Sequence, residues 1–131
     1  MRRVLMAALA VSLVVASLLA PAASAAGSVF AGTWVSIDGD GSTQLLAVGR
    51  ATTPAVTYED FYASSCAAGG SPSTHFVATG RGDISGDSLW VDFRNGGCGN
   101  HALGPFGLGF RYDGGNDTLT DDFGITWYRF P

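Results

Sequence analysis

Downstream of about Ala26 the chain alternates apolar and polar residues with period two and never settles into a helical period. Short stretches rich in Val, Thr, Tyr, Phe and Trp are broken by clusters of Gly, Asp, Asn, Ser and Pro. This pattern predicts eight strands, at about Phe30–Ile37, Thr43–Gly49, Val56–Ala63, Thr74–Gly82, Ser88–Arg94, Gly107–Tyr112, Thr118–Asp122 and Ile125–Phe130. The turn signals are Asp38-Gly39-Asp40-Gly41, Pro54, Ser85-Gly86-Asp87 and Gly114-Gly115-Asn116. Mostly short connections favour an all-β, eight-stranded antiparallel up-and-down meander that closes into a barrel. Two connections are longer, Ser64–Ser73 and Asn95–Phe106, and each carries one cysteine.

The alternation names a core. Leu89, Val91 and Phe93 share one face, as do Leu108, Phe110 and Tyr112, and Ile125, Trp127 and Arg129. Tyr58, Asp60 and Tyr62 also share a face. If it points inward, Asp60 is a polar group in an aromatic-lined cavity; burial statistics for aspartate favour the outward orientation.

The first 25 residues depart from this pattern. Arg2 and Arg3 precede an apolar run from Val4 to Leu19, and Ala23-Ser24-Ala25 is a small-x-small cleavage site. Residues 1–25 read as a secretory signal peptide, and residues 26–131 as one β-barrel domain. Cleavage after Ala25 leaves 106 residues with five Arg, no Lys and eleven acidic residues, a net charge of −6. Such a domain is a poor partner for nucleic acid or an anionic membrane. Export also decides how Cys66 and Cys98 are read. They are expected to form a disulfide, adding roughly 3–4 kcal/mol by closing a loop of about 33 residues.

Gly32-Thr33-Trp34 lies on the first strand and Arg129 on the last, and these strands are neighbours in a closed barrel. Trp34 is expected to plug one end with the Arg129 guanidinium over its ring. Gly32, Trp34 and Arg129 resemble the pattern of the calycin superfamily of lipocalins, avidins and bacterial periplasmic protease inhibitors. Asp117-Thr118-Leu119-Thr120-Asp121 followed by Trp127 and Arg129 is similar to uncharacterised secreted lipocalin-like proteins. The resemblance implies an eight-stranded antiparallel barrel and carries no activity with it.

Several strings spell known motifs without their chemistry. Gly86-Asp87-Ser88-Leu89 matches the nucleophile block of GDSL esterases, yet no Asp-x-x-His follows to supply a base, and a hairpin turn is the better reading. Asp38-Gly39-Asp40-Gly41-Ser42 resembles a calcium loop, but the sixth and twelfth positions hold Thr43 and Gly49 in place of Gly and an acidic ligand. His75 and His101 stand near the cysteine-bearing loops with too few further ligands for a metal. No metal, cofactor or catalytic residue is expected.

The function expected is therefore that of a secreted, monomeric, non-catalytic binding module for a small molecule. The alternative is an exported protein-binding or protease-inhibitor barrel, and a hydrolase using Ser88 ranks last. The candidate contact residues, chosen by position around the longer loops, are His75, Arg94, Asn95, His101 and Phe106, joined by Tyr58, Asp60 and Tyr62 if the barrel interior is open. An empty interior favours the carrier. A packed interior with an exposed apolar loop at Ala102–Phe106 favours the inhibitor.

Overall fold

The computed structural model describes residues 27–131; the expected signal peptide lies outside them. The strands are β1 (Gly32–Ile37), β2 (Thr43–Val48), β3 (Ala55–Phe61), β4 (His75–Ser85), β5 (Ser88–Cys98), β6 (His101–Ala102), β7 (Phe106–Asp113), β8 (Thr118–Asp121) and β9 (Thr126–Phe130), with one helical turn, α1 (Ser64–Ala68), between β3 and β4. All pairings are antiparallel. The ring runs β4-β3-β2-β1-β9-β8-β7-β5 and closes through β4–β5, so eight strands make a barrel and β6 is a short hairpin partner on the end of β5. Closure leaves no long open sheet edge in the ring.

Period-two alternation explains the core. Trp34, Leu46, Val48, Val56, Tyr58, Phe76, Ala78, Leu89, Val91, Phe93, Leu108, Phe110, Leu119 and Trp127 all point inward and are buried. They fill the barrel from one end to its middle, where Tyr58 meets Phe76, Phe93, Phe106 and Trp127 edge-on at ring separations of 5.9–6.4 Å.

One end is closed by the first and last strands. Trp34 is fully buried and donates its indole N–H to the carbonyl of Phe30 at 2.8 Å. The Arg129 guanidinium lies 4.1 Å from the centre of its ring. Arg129 also donates to both Asp117 carboxylate oxygens, at 2.7 and 2.8 Å, and to the carbonyls of Ala31 and Val29. One cation thus ties the incoming chain, the β7–β8 turn and the last strand together. Gly32 makes room for it: its φ is +131°, and a Cβ there would stand 3.0 Å from Arg129 Nη1. Phe30 sits in a turn before β1, so the first strand starts two residues later than its apolar pattern implied.

Three further departures from the expected pattern concern β3, β5 and the loop between β3 and β4. First, β3 stops at Phe61 because Tyr62 adopts a left-handed backbone (φ +66°). Tyr62 is 79 % exposed and does not share the inward face of Tyr58. Second, β5 continues past Arg94 to Cys98. The register against β4 passes from Thr79–Asn95 to Gly80–Phe93, leaving Arg94 as an extra residue. That bulge puts Arg94 and Asn95 both outward and inverts the phase of β5, so that Cys98 turns inward five residues after Phe93. Gly80 permits it, since a Cβ there would collide with the Asp92 carbonyl. Third, the loop at Ser64–Ser73 contains α1, whose five residues are too few to leave a periodic signature.

Cys66 of α1 and Cys98 at the end of β5 form a disulfide, and both are buried. The bridge lies at the end of the barrel opposite Trp34 and holds the α1 loop against the β5–β6 hairpin. No helix among the described residues is long and apolar enough to cross a membrane.

Candidate ligand site at the barrel mouth

At the end opposite the plug the side chains do not fill the barrel. A cavity of about 290 Å³ opens there, lined by Asp38, Gln44, Tyr58, Asp60, Ser65, Phe76, Leu103, Phe106, Leu108, Asp121, Phe123 and Ile125. Its floor is the Tyr58 ring. Its aromatic wall is Phe76 and Phe106, and Leu103 and Phe123, the latter 81 % exposed, stand at the rim.

The polar wall comes from β2 and β3. Gln44 and Asp60 are direct cross-strand partners, which places their Cβ atoms about 5 Å apart on one face. Both are inward, Gln44 3 % and Asp60 6 % exposed. Asp60 was expected outward on burial statistics; it points inward because it continues the phase of Val56 and Tyr58. Gln44 donates through Nε2 to the Tyr58 hydroxyl oxygen at 2.9 Å. Its Oε1, Asp60 Oδ1 and the hydroxyl of neighbouring Ser42 are buried without a partner. This orientation of the Gln44 amide leaves an acceptor over, whereas the reverse one would leave a donor. Buried polar atoms are ordinarily paired, so a cluster of unpaired ones at a cavity marks a place where a hydrogen-bonding guest belongs.

Two other carboxylates at this end, Asp121 and Asp40, are occupied. Asp121 accepts from the amides of Phe123 and Ile125 and from the Trp127 indole at 2.9–3.0 Å. Asp40, in the β1–β2 turn, accepts from the amides of Ser42 and Ser64. The Ser42 amide first, then the nearby Ser42 and Ser64 hydroxyls, hold its carboxyl at about 2. The string that resembled a calcium loop therefore spends this carboxylate on its own turn and on the start of α1. Asp60 moves the other way: burial raises its carboxyl above the ordinary value, partly offset by neighbouring Ser42 and Gln44, with Asp40 and Asp38 adding to the rise. Burial, reinforced by Asp60, Asp38 and Asp121, likewise raises the Tyr58 hydroxyl and keeps it a neutral phenol.

Between the unfolded and folded values of Asp60 the native state holds a proton that the unfolded chain releases, so this group's contribution to stability is greatest below the unfolded carboxylate value, about 4, and falls as pH rises through its raised folded value. Asp60→Asn is expected to stabilise the empty protein at neutral pH by about 1 kcal/mol, with no gain in strong acid. Urea melts of both proteins across the acid range check this. A difference independent of pH contradicts it.

The remaining candidates separate from the mouth. His75, Arg94, Asn95 and His101 line a groove of about 580 Å³ on the outer wall, together with Val77, Thr79, Asn100 and the backbone of Gly96 and Gly97. His75 is engaged there: its ring stacks on Phe61 at 4.5 Å and Nε2 is 2.9 Å from Glu59 Oε2. The barrel wall lies between these residues and Tyr58, Asp60 and Phe106. Position near the longer loops thus gathered two different surfaces. Gln44, Leu103, Phe123 and Asp121 were missed; the phase of β2 (Gln44, Leu46, Val48) was the signal available for the first. Ser88 sits in the β4–β5 hairpin at the plug end, its hydroxyl directed to Asp87 Oδ1 at 3.2 Å, while both histidines belong to the mouth half.

No protein-family model, curated protein or solved structure matches the chain.

Proposed function

We propose that this is a secreted, monomeric, non-catalytic β-barrel that binds a small molecule in its mouth. The observation that carries the reading is the pairing of an unfilled cavity with buried, unpartnered Gln44 Oε1 and Asp60 Oδ1. A barrel evolved only as a rigid scaffold gains nothing from leaving two polar side chains unsatisfied beside a void. Aromatic side chains with a few converging polar groups are the usual make-up of a ligand pocket, and the cavity's volume of about 290 Å³ lies just under the lower bound of about 300 Å³ for such pockets. The disulfide supports the reading by fixing the α1 loop, which contributes Ser65 to the lining, and so lowering the ordering cost of binding. It also suits an oxidising, extracellular location. The protein-binding alternative rests on exposed Phe123 and Leu103 at the rim and leaves the polar wall unexplained.

The test is a thermal-shift and native-mass screen of the purified protein against small polar and aromatic compounds, with secreted proteases assayed in parallel. Expected are stabilising ligands whose effect is lost in Gln44→Leu and kept in Arg94→Ala. Protease inhibition without any small-molecule shift would overturn the reading, as would ester turnover lost in Ser88→Ala.

A further inference from the structure

The charge of the mouth narrows the class of its ligand. Asp38, Asp60 and Asp121 face the cavity, and among the described residues none that lines it is basic. An anion entering there would meet three carboxylates in a partly desolvated space, where like-charge repulsion is weakly screened. The unpartnered polar atoms agree with the charge. Asp60 Oδ1 is an acceptor, and so is Gln44 Oε1 with the amide oriented so that Nε2 donates to Tyr58; the two residues adjoin across the β2–β3 pair. They ask for a guest that brings donors. The opposite wall, Tyr58, Phe76 and Phe106, offers apolar area and ring faces.

A bare metal ion fits these groups poorly. A hard divalent cation takes six or more oxygens, whereas the Asp121 oxygens already accept three protein donors. Among the described residues no group of three or more His, Cys, Asp and Glu is arranged to hold a metal.

Resting on the reading of the mouth as a small-molecule site, we propose that its ligand is a compact organic cation, a primary ammonium on a small aromatic or apolar body. The ammonium donates to Asp60 Oδ1 and Gln44 Oε1, and the body lies against Tyr58, Phe76 and Phe106. Binding supplies the missing partners of two buried acceptors at once, which is why the empty site is left polar. A neutral head group of the same size supplies fewer donors and no charge.

The experiment compares three probes with the same ring and different heads on the wild-type protein: phenethylamine, 2-phenylethanol and 3-phenylpropionate, by isothermal titration calorimetry at neutral pH. Phenethylamine is expected to bind about tenfold or more tightly than the alcohol, with the carboxylate weakest. Asp60→Asn is expected to erase the preference for the amine while leaving a folded barrel by circular dichroism. If the alcohol binds as well as the amine, or the carboxylate binds best, the cation proposal is overturned and the mouth remains a small-molecule site. If none of the three binds, while the same protein also shows no ligand in the wider screen, the mouth reading falls with it. Because the probe series is read on the unmutated chain, the result does not depend on the variant folding.

Discussion

Trp34→Ala is expected to lower the unfolding free energy by about 3–5 kcal/mol, the usual cost of deleting a large buried aromatic side chain. In a domain of this size that corresponds to a fall in Tm of roughly 15 °C. The indole is fully buried, donates to the Phe30 carbonyl and meets Tyr112 edge-on at 6.3 Å. Its removal leaves a cavity where the first and last strands join, at the seam that makes the barrel a ring. Arg129→Ala is expected to cost less, about 2 kcal/mol, because the guanidinium is partly solvated although it serves Asp117 and two backbone carbonyls. The two losses should not add: with the ring gone, the guanidinium keeps its hydrogen bonds and loses only its cation–π partner, so a double-mutant cycle is expected to show coupling of about 0.5–1 kcal/mol. Urea melts of the four proteins measure all three quantities. Trp34→Ala within error of the parent would contradict the plugged barrel.

Replacing both cysteines with alanine is expected to cost about 3–4 kcal/mol in the chain-entropy account, for half-cystines separated by 32 positions. The effect is not only global. Cys66 is the one buried residue of α1, and Gly69, just past α1, lies so close to Leu103 that a Cβ would stand 2.9 Å from its Cδ2. The bridge therefore positions both Ser65 and Leu103 at the cavity. Loss of the disulfide is expected to lower the urea midpoint and, in the protein that remains folded, to weaken ligand binding at the mouth. Hydrogen exchange should then rise first in residues 64–73 and 99–105, with the plug end unchanged. An unchanged midpoint would contradict the stabilising role, and faster exchange at the plug end would contradict the local one.

Strand order, ring closure and the plug were legible because they follow from period two and from two residues, Trp34 and Arg129, that only a closed barrel brings together. What escaped has definite causes. The bulge at Arg94 interrupts the alternation of β5, so the hydropathy pattern stops where the strand only changes phase. The left-handed backbone at Tyr62 is a single-residue event that leaves no trace in a hydropathy pattern. Asp60 was assigned by what aspartates usually do, although the phase of Val56 and Tyr58 on its own strand pointed inward. The pairing of Asp117 with Arg129 needs the register of β8 against β9, which no short string records. The mouth was the hardest part to read because its polar wall forms across strands: Gln44 and Asp60 are 16 positions apart and meet only through pairing.

The central claim is that the unsatisfied mouth, and not the outer groove, receives the ligand. Amide NMR of the labelled protein, titrated with the compounds that bind in the small-molecule screen, tests it directly. Shift changes are expected to concentrate at Gln44, Tyr58, Asp60, Phe76 and Phe106, with Arg94, Asn95 and His101 unmoved. Changes centred on His75, Arg94 and His101, with the mouth amides still, would contradict it.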